Sequence, residues 1–270
     1  LCAALAEGQM PNPELPLFGV TLWQLLLVAF VGGMASIFGG VTGYGSGLIL
    51  PLVLVPTIGA EATIPVIGIS AILNNASRLV AFRHLVDWRK AGLLALVAAP
   101  GCALGAWLYS LLSGPTAAVV IGGTLMALVP VKRWLKRTGF TLRGPALGVS
   151  GFGYGLLAGG TAGSGIVLLS VLMAAGLNGR AVVATDAAIS VVMGVVKTIV
   201  FQSAGSLTPA LWAMALVIGF AAVPGAFTAR WLVERMPIRV HDLLIEVMVF
   251  LGGAMLVWRG LADLTAAHAS

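Results

Sequence analysis

Charge is scarce in this chain: of its 270 residues only 9% are Asp, Glu, Lys or Arg, against 59% that are hydrophobic, and the mean hydropathy is +1.05. A soluble globule of this length needs far more polar surface to face water, so the soluble classes are excluded and the bilayer becomes the solvent. Cysteine and histidine are equally sparse. Cys2 and Cys102 stand far apart without CxxC or Cys/His spacing, so neither a disulfide framework nor a metal cluster is indicated, and no cofactor is expected. His84 and His241 fall in or beside polar connections and His268 in the tail. No apolar run therefore holds a base to activate Ser46 or Ser164, which argues against an intramembrane serine hydrolase and for a protein that is not an enzyme. The net charge of +6 is no sign of nucleic acid, because the basic residues lie between apolar runs, where membrane topology puts them. Residues 1–5 are too short a stretch for a signal peptide.

What is abundant is apolar sequence in long runs, broken by glycine. The runs cover 17–38, 47–58, 63–82, 91–112 and 115–131, then 146–157, 165–176, 181–201, 209–232 and 238–261. Most suit helices of about 20 residues, the span of a hydrocarbon core, whereas a membrane barrel would show short alternating segments. The expected class is an all-α, polytopic integral membrane protein of the bacterial inner membrane type. The two short runs after the glycine clusters are expected to be tilted half-spans or the return limbs of re-entrant hairpins.

The second five runs repeat the first. Gly45-Ser46-Gly47 aligns with Gly163-Ser164-Gly165, Arg78 with Lys197, Phe82 with Phe201, and Gly105-Ala106-Trp107 with Gly225-Ala226-Phe227, all at offsets of about 120. Residues 17–131 and 145–262 thus read as two membrane repeats, joined by a basic cytoplasmic connector at 132–144. Loop charge alternates. Arg83, Arg89 and Lys90, then the connector, then Arg180, then Arg230, Arg235 and Arg239 mark one side, whereas 113–115 and 203–208 carry no charge. Equivalent loops of the two halves fall on opposite sides, so the repeats are expected to be inverted, with three crossings plus a re-entrant pair, or five, in each. Trp23, Trp88, Trp134, Trp212, Trp231 and Trp258 sit near run ends as interfacial anchors; Trp107 alone is well inside a run.

Two glycine breaks brought together by an inverted repeat would aim backbone N–H groups and short-helix N-termini at one place, and unpaired N–H groups in a poorly screened medium favour an anion. The candidates are Gly45, Ser46 and Gly47 with Gly163, Ser164 and Gly165; Thr42 and Thr161 add hydroxyls. The competing reading is that these glycines only let helices pack closely. Arg78 and Lys197 are cations within spans, costly enough to require a reason, and Asn74 and Asn75 share a helical face with Arg78. Against a substrate-binding role stands snorkelling, in which long stems carry both charges to the headgroups. Asp186, Ser190, Gly194 and Lys197 follow one helical face. Asp186 is the acid placed well within a run and is a candidate for coupling to a proton or sodium ion, against the alternative of a partly solvated helix start. It stands too far from Lys197 along the helix for a direct ion pair.

These features resemble the TauE/SafE family of membrane transporters. The resemblance rests on the glycine break running to Pro51, the polar end Asn74-Asn75-Ala76-Ser77-Arg78, the Val86-Asp87-Trp88 entry to the next helix, residues 101–106 within it, and the second copy from 159 to 226. It implies a secondary transporter that exports sulfite or an organosulfonate. The residues by themselves imply only a small anion, moved by alternating access. A carrier of another small solute, or a non-transport membrane protein such as an assembly factor, is the alternative; the latter would tolerate loss of the cations and the breaks. Direction, coupling ion and oligomeric state are not written in the sequence.

Overall fold

In a computed structural model of the chain, the residues described are 14–15, 20–42, 45–138, 142, 145–178, 180–233 and 238–269. Among these, ten α-helices follow the apolar runs in order: α1 Leu22–Thr42, α2 Gly45–Ile58, α3 Ala60–Phe82, α4 Trp88–Ser110, α5 Gly114–Thr138, α6 Pro145–Gly160, α7 Gly165–Ala174, α8 Arg180–Ser203, α9 Pro209–Val233 and α10 Ile238–Ala269. The protein is a helical, multi-pass membrane protein. One minimal antiparallel ladder, β1 (Glu14–Leu15) against β2 (Val20–Thr21), precedes α1.

Two boundaries differ from the sequence reading. Helix α5 runs on through Thr138, because Lys, Arg, Leu and Trp are all compatible with helix and a basic stretch beyond the bilayer can stay helical in water. The first break is also narrower than its glycines suggest. Gly39 and Gly40 remain inside α1, and α2 resumes at Gly45; residues 43–44 lie outside those described. In the second copy the break occupies 161–164, between α6 and α7.

Short limbs follow both breaks. Helix α7 has 10 residues and α2 has 14, so they rise about 15 and 21 Å, less than the hydrocarbon thickness. Four other helices, α3, α4, α5 and α8, contain segments long and apolar enough to cross a membrane.

The packing repeats itself when the halves are exchanged. Helix α4 lies on α6 as α9 lies on α1; α3 meets α9 as α8 meets α4; α3 packs on α8, and α5 on α10. Small residues set these seams. A Cβ at Gly155 would collide with the Ala98 carbonyl and one at Gly159 with the Cys102 carbonyl, so α4 and α6 touch backbone to backbone and run parallel. On the matching seam, Ser36 of α1 donates to the Ala222 carbonyl at 2.6 Å, and a Cβ at Gly225 would come within 2.7 Å of the Gly33 carbonyl.

Direction follows from the same contacts. On α3 and α8, Gly68 lies beside Gly194 and Lys197 while Arg78 lies beside Asp186, so these helices are antiparallel. On α5 and α10, Gly122 lies beside Gly253 and Pro115 beside Gly260, again antiparallel. Helices equivalent under the repeat therefore run in opposite directions, which is the inverted arrangement. The same directions put the C-terminal ends of α3, α5, α7 and α9 at one end of the bundle, where Arg83, Arg89 and Lys90, the basic end of α5, and Arg180 at the start of α8 also lie.

Candidate functional site

Helices α3 and α8 cross at the centre, and the two breaks meet beside them: a Cβ at Gly47 would stand 3.2 Å from the Gly163 nitrogen. Gly163 itself takes φ +77, a left-handed conformation that suits glycine. A half-open cavity of about 100 Å³ lies at this junction, lined by residues from α1, α2, α3, α6, α7, α8 and α9.

Most of the residues singled out in the sequence line this one cavity: Gly47, Asn74, Asn75, Arg78, Gly163, Ser164, Gly165, Asp186 and Lys197. Gly45 and Ser46 open α2, but what surrounds them falls outside the described residues, as does the side chain of Thr42. Ser190 and Gly194 complete the α8 face in the lining.

The cations do not reach toward headgroups. Arg78 and Lys197 are each 8% exposed, buried at the helix crossing and facing the cavity, so the snorkelling alternative does not describe them. Arg78 Nη1 donates to Asn75 Oδ1 at 3.2 Å, and Asn75 Nδ2 donates to the Ala71 carbonyl at 2.9 Å, one turn back. Asn74 Oδ1 lies 3.3 Å from the Ser36 hydroxyl, which ties the α3 polar face to α1.

Asp186 is not a solvated helix start. It is 2% exposed, and its Oδ2 lies 3.7 Å from Arg78 Nη2 across the helix crossing. Oδ1 has no hydrogen-bond partner among the described residues. Lys197 forms no ion pair among the described residues. Its stem packs on Gly68, whose would-be Cβ is 3.6 Å from the Lys197 Cβ.

Thr161 offers less than its position suggested. Its hydroxyl donates to the Leu157 carbonyl at 2.6 Å, so that proton is spent within α6. The N–H groups of Gly163, Ser164 and Gly165 make no backbone hydrogen bond among the described residues, as expected at the start of α7, and they line the cavity. Ser164 stands at the N-cap without a side-chain cap bond.

Sequence reasoning missed Ser36 and Tyr154. Nothing separates Ser36 from an ordinary small packing residue in an apolar run. Tyr154 carries a weak signal, a phenol flanked by Gly153 and Gly155 in mid-run, and it is the aromatic ring in the lining.

At one end of the bundle, Asp87 caps α4 by accepting the Lys90 N–H at 3.0 Å. That bond, with the Lys90 ammonium 3.4 Å away, holds the Asp87 carboxyl below its ordinary value of 3.8. The Asp87 N–H donates to the Thr185 hydroxyl at 3.2 Å, so this loop rests on the residue next to Asp186.

Inverted halves, helices broken within the membrane, and a charged cavity where the breaks meet are the architecture of a multi-pass membrane transporter. The chain belongs to the sulfite exporter TauE/SafE family, whose model matches residues 27–256. Comparisons with curated proteins and with solved structures found no match.

Proposed function

We propose that the protein is a secondary transporter carrying a small anion, sulfite or a short organosulfonate, by alternating access across a bacterial inner membrane. The observation that carries this reading is the burial of Lys197, a cation without an ion-pair partner among the described residues, in a cavity also lined by Gly163 to Gly165, whose N–H groups make no backbone hydrogen bond among the described residues. An ammonium group in such a place is costly unless an anion visits it. With Arg78 and Asp186 cancelling each other, the site carries one net positive charge. Its volume of about 100 Å³ suits one compact oxyanion head with at most a short tail; an apolar cavity of about 150 Å³ holds a benzene. The two repeats, 17–131 and 145–262, would move against each other about this site, with the connector 132–144 on the cytoplasmic side. Catalysis has no place in this reading, and the bilayer and the anion are the partners it requires.

The test is calorimetric titration of the purified chain with sulfite, methanesulfonate, acetate and sulfate, followed by uptake into proteoliposomes. Saturable binding of sulfite or methanesulfonate in preference to acetate is expected. A folded protein that binds none of the four would overturn the proposal, and acetate binding best would make it a carrier of another class of solute.

A further inference from the structure

The duplication supplies a comparison within the molecule. The offset of 119 that takes Arg78 to Lys197 takes Ile67 to Asp186. The position equivalent to Asp186 is thus held by the buried, apolar Ile67, next to the Gly68 on which Lys197 packs, whereas Arg78 faces a carboxylate. Lys197 is buried to the same extent as Arg78 without a carboxylate partner among the described residues, so the repeat keeps its packing without a carboxylate at the equivalent position.

The pairing is also loose. At 3.7 Å it is a single long contact rather than the bidentate fork that arginine makes with a locked carboxylate. The second oxygen, Oδ1, is buried with no hydrogen-bond partner among the described residues, which is costly for an ionised carboxylate and removed by a proton. Both groups line the cavity in which the anion is proposed to bind. An anion and the Asp186 carboxylate then compete for Arg78.

Resting on the anion-binding reading above, we propose that Asp186 is the proton-carrying group of the carrier: ionised, it occupies Arg78 and keeps it from substrate, and on taking up one proton it releases Arg78 to join Lys197 on the anion, so that anion and proton bind together. The step is a proton transfer from water to the carboxylate, with no other bond made or broken. The titratable and charged groups on the elements packed around Asp186 are few. Helix α3 brings Arg78; α4 brings Cys102, whose thiol lies 3.6 Å from the Met193 carbonyl; α6 brings Tyr154; α8 itself carries Lys197. The turn at 83–85 brings Arg83 and His84, and the α4 cap brings Asp87, resting on Thr185. Helix α7 brings no titratable side chain.

The experiment is titration of the purified full chain with methanesulfonate, whose own charge does not change between pH 5 and 9, in two buffers of different protonation enthalpy, so that heat counts protons directly. The wild type should take up one proton per anion bound, and its Kd should weaken about tenfold per pH unit on the alkaline side. Asp186→Asn should bind without proton uptake and with a flat pH profile, while His84→Gln should keep the wild-type slope. Proton counting on the wild type needs no variant, so the result stands even if Asp186→Asn folds poorly. Anion binding without proton uptake, or a pH slope that survives in Asp186→Asn, overturns this proposal and leaves the anion site intact. Should methanesulfonate and a parallel sulfite titration both show no binding, the anion site itself falls and this proposal with it.

Discussion

Replacing Lys197 with Met tests the site most directly, because it removes a charge and keeps the shape of the stem that packs on Gly68. With Arg78 held by Asp186, Lys197 is the one net charge offered to an incoming anion by the described lining. A unit charge about 4 Å away is worth about 4 kcal/mol at the effective dielectric of a protein site. That lies within the 2–5 kcal/mol or so lost when one partner of a buried charge pair is truncated. The Kd for sulfite or methanesulfonate should therefore rise between about 30-fold and several thousand-fold. Stability should move the other way. A buried ammonium with no ion-pair partner is a burden on the empty protein, so Lys197→Met should melt at a temperature equal to or above the wild type. Calorimetric titration and thermal unfolding in detergent read the two effects separately. A Kd within about threefold of the wild type, in a variant that melts normally, would refute the reasoning, because that is less than about 1 kcal/mol, well short of the expected loss. A fall in both binding and melting temperature would make Lys197 structural instead.

Gly155→Leu should destabilise the protein by about 3 kcal/mol or prevent assembly, since its Cβ would meet the Ala98 carbonyl; thermal unfolding reads this, and wild-type melting would dismiss the backbone-to-backbone seam. Single cysteines at Arg89 and Gly205, in a Cys-free background, should label from opposite sides of intact cells with an impermeant thiol reagent, and labelling of both from outside would end the inverted topology. Asp87→Ala should cost about 1 kcal/mol by loss of the α4 cap. Because the folded pKa of Asp87 is lowered, its contribution is present above the unfolded value near 3.8 and is lost as pH falls through the lower folded value; the wild-type and Asp87→Ala unfolding curves should therefore converge in acid, and a constant gap would exclude the cap.

The helices were legible because hydrophobic run length is a direct consequence of bilayer thickness, and the runs at 63–82 and 181–201 came out as α3 and α8 almost to the residue. The duplication was legible because a cation inside a span is rare enough for Arg78 and Lys197 to act as landmarks. The pairing of Arg78 with Asp186 was not. Periodicity relates residues on one helix, and 108 positions separate these two; only the antiparallel crossing of α3 on α8 brings them to 3.7 Å. The glycines posed the opposite difficulty. Gly39 and Gly40 lie within α1, and Gly155 and Gly159 hold α6 on α4, while Gly163 turns the chain. One residue type serves three physical purposes, and its sequence context does not distinguish them.

Exchange of the two halves preserves the main helix packing of this protein, since each of its large seams among the described residues has a counterpart. In the carrier proposed above, such a scaffold would have two related conformations, one in which the first half adopts the arrangement now held by the second, and their interchange would open the same cavity to opposite sides. Geometry alone would make those conformations equal in energy. The charges do not follow the exchange: Arg78 becomes Lys197, but Asp186 becomes Ile67. The second half also carries a four-residue break at 161–164, between α6 and α7. A carrier symmetric in packing and asymmetric in charge has two accessible states with unequal populations. Asp186 is the difference that a proton can alter, so under the proton-carrying role proposed above the bias between the states would change when that carboxylate gains or loses a proton. In the carrier proposed above, the gradients of anion and proton would set the direction of net transport, and Asp186 would couple the two.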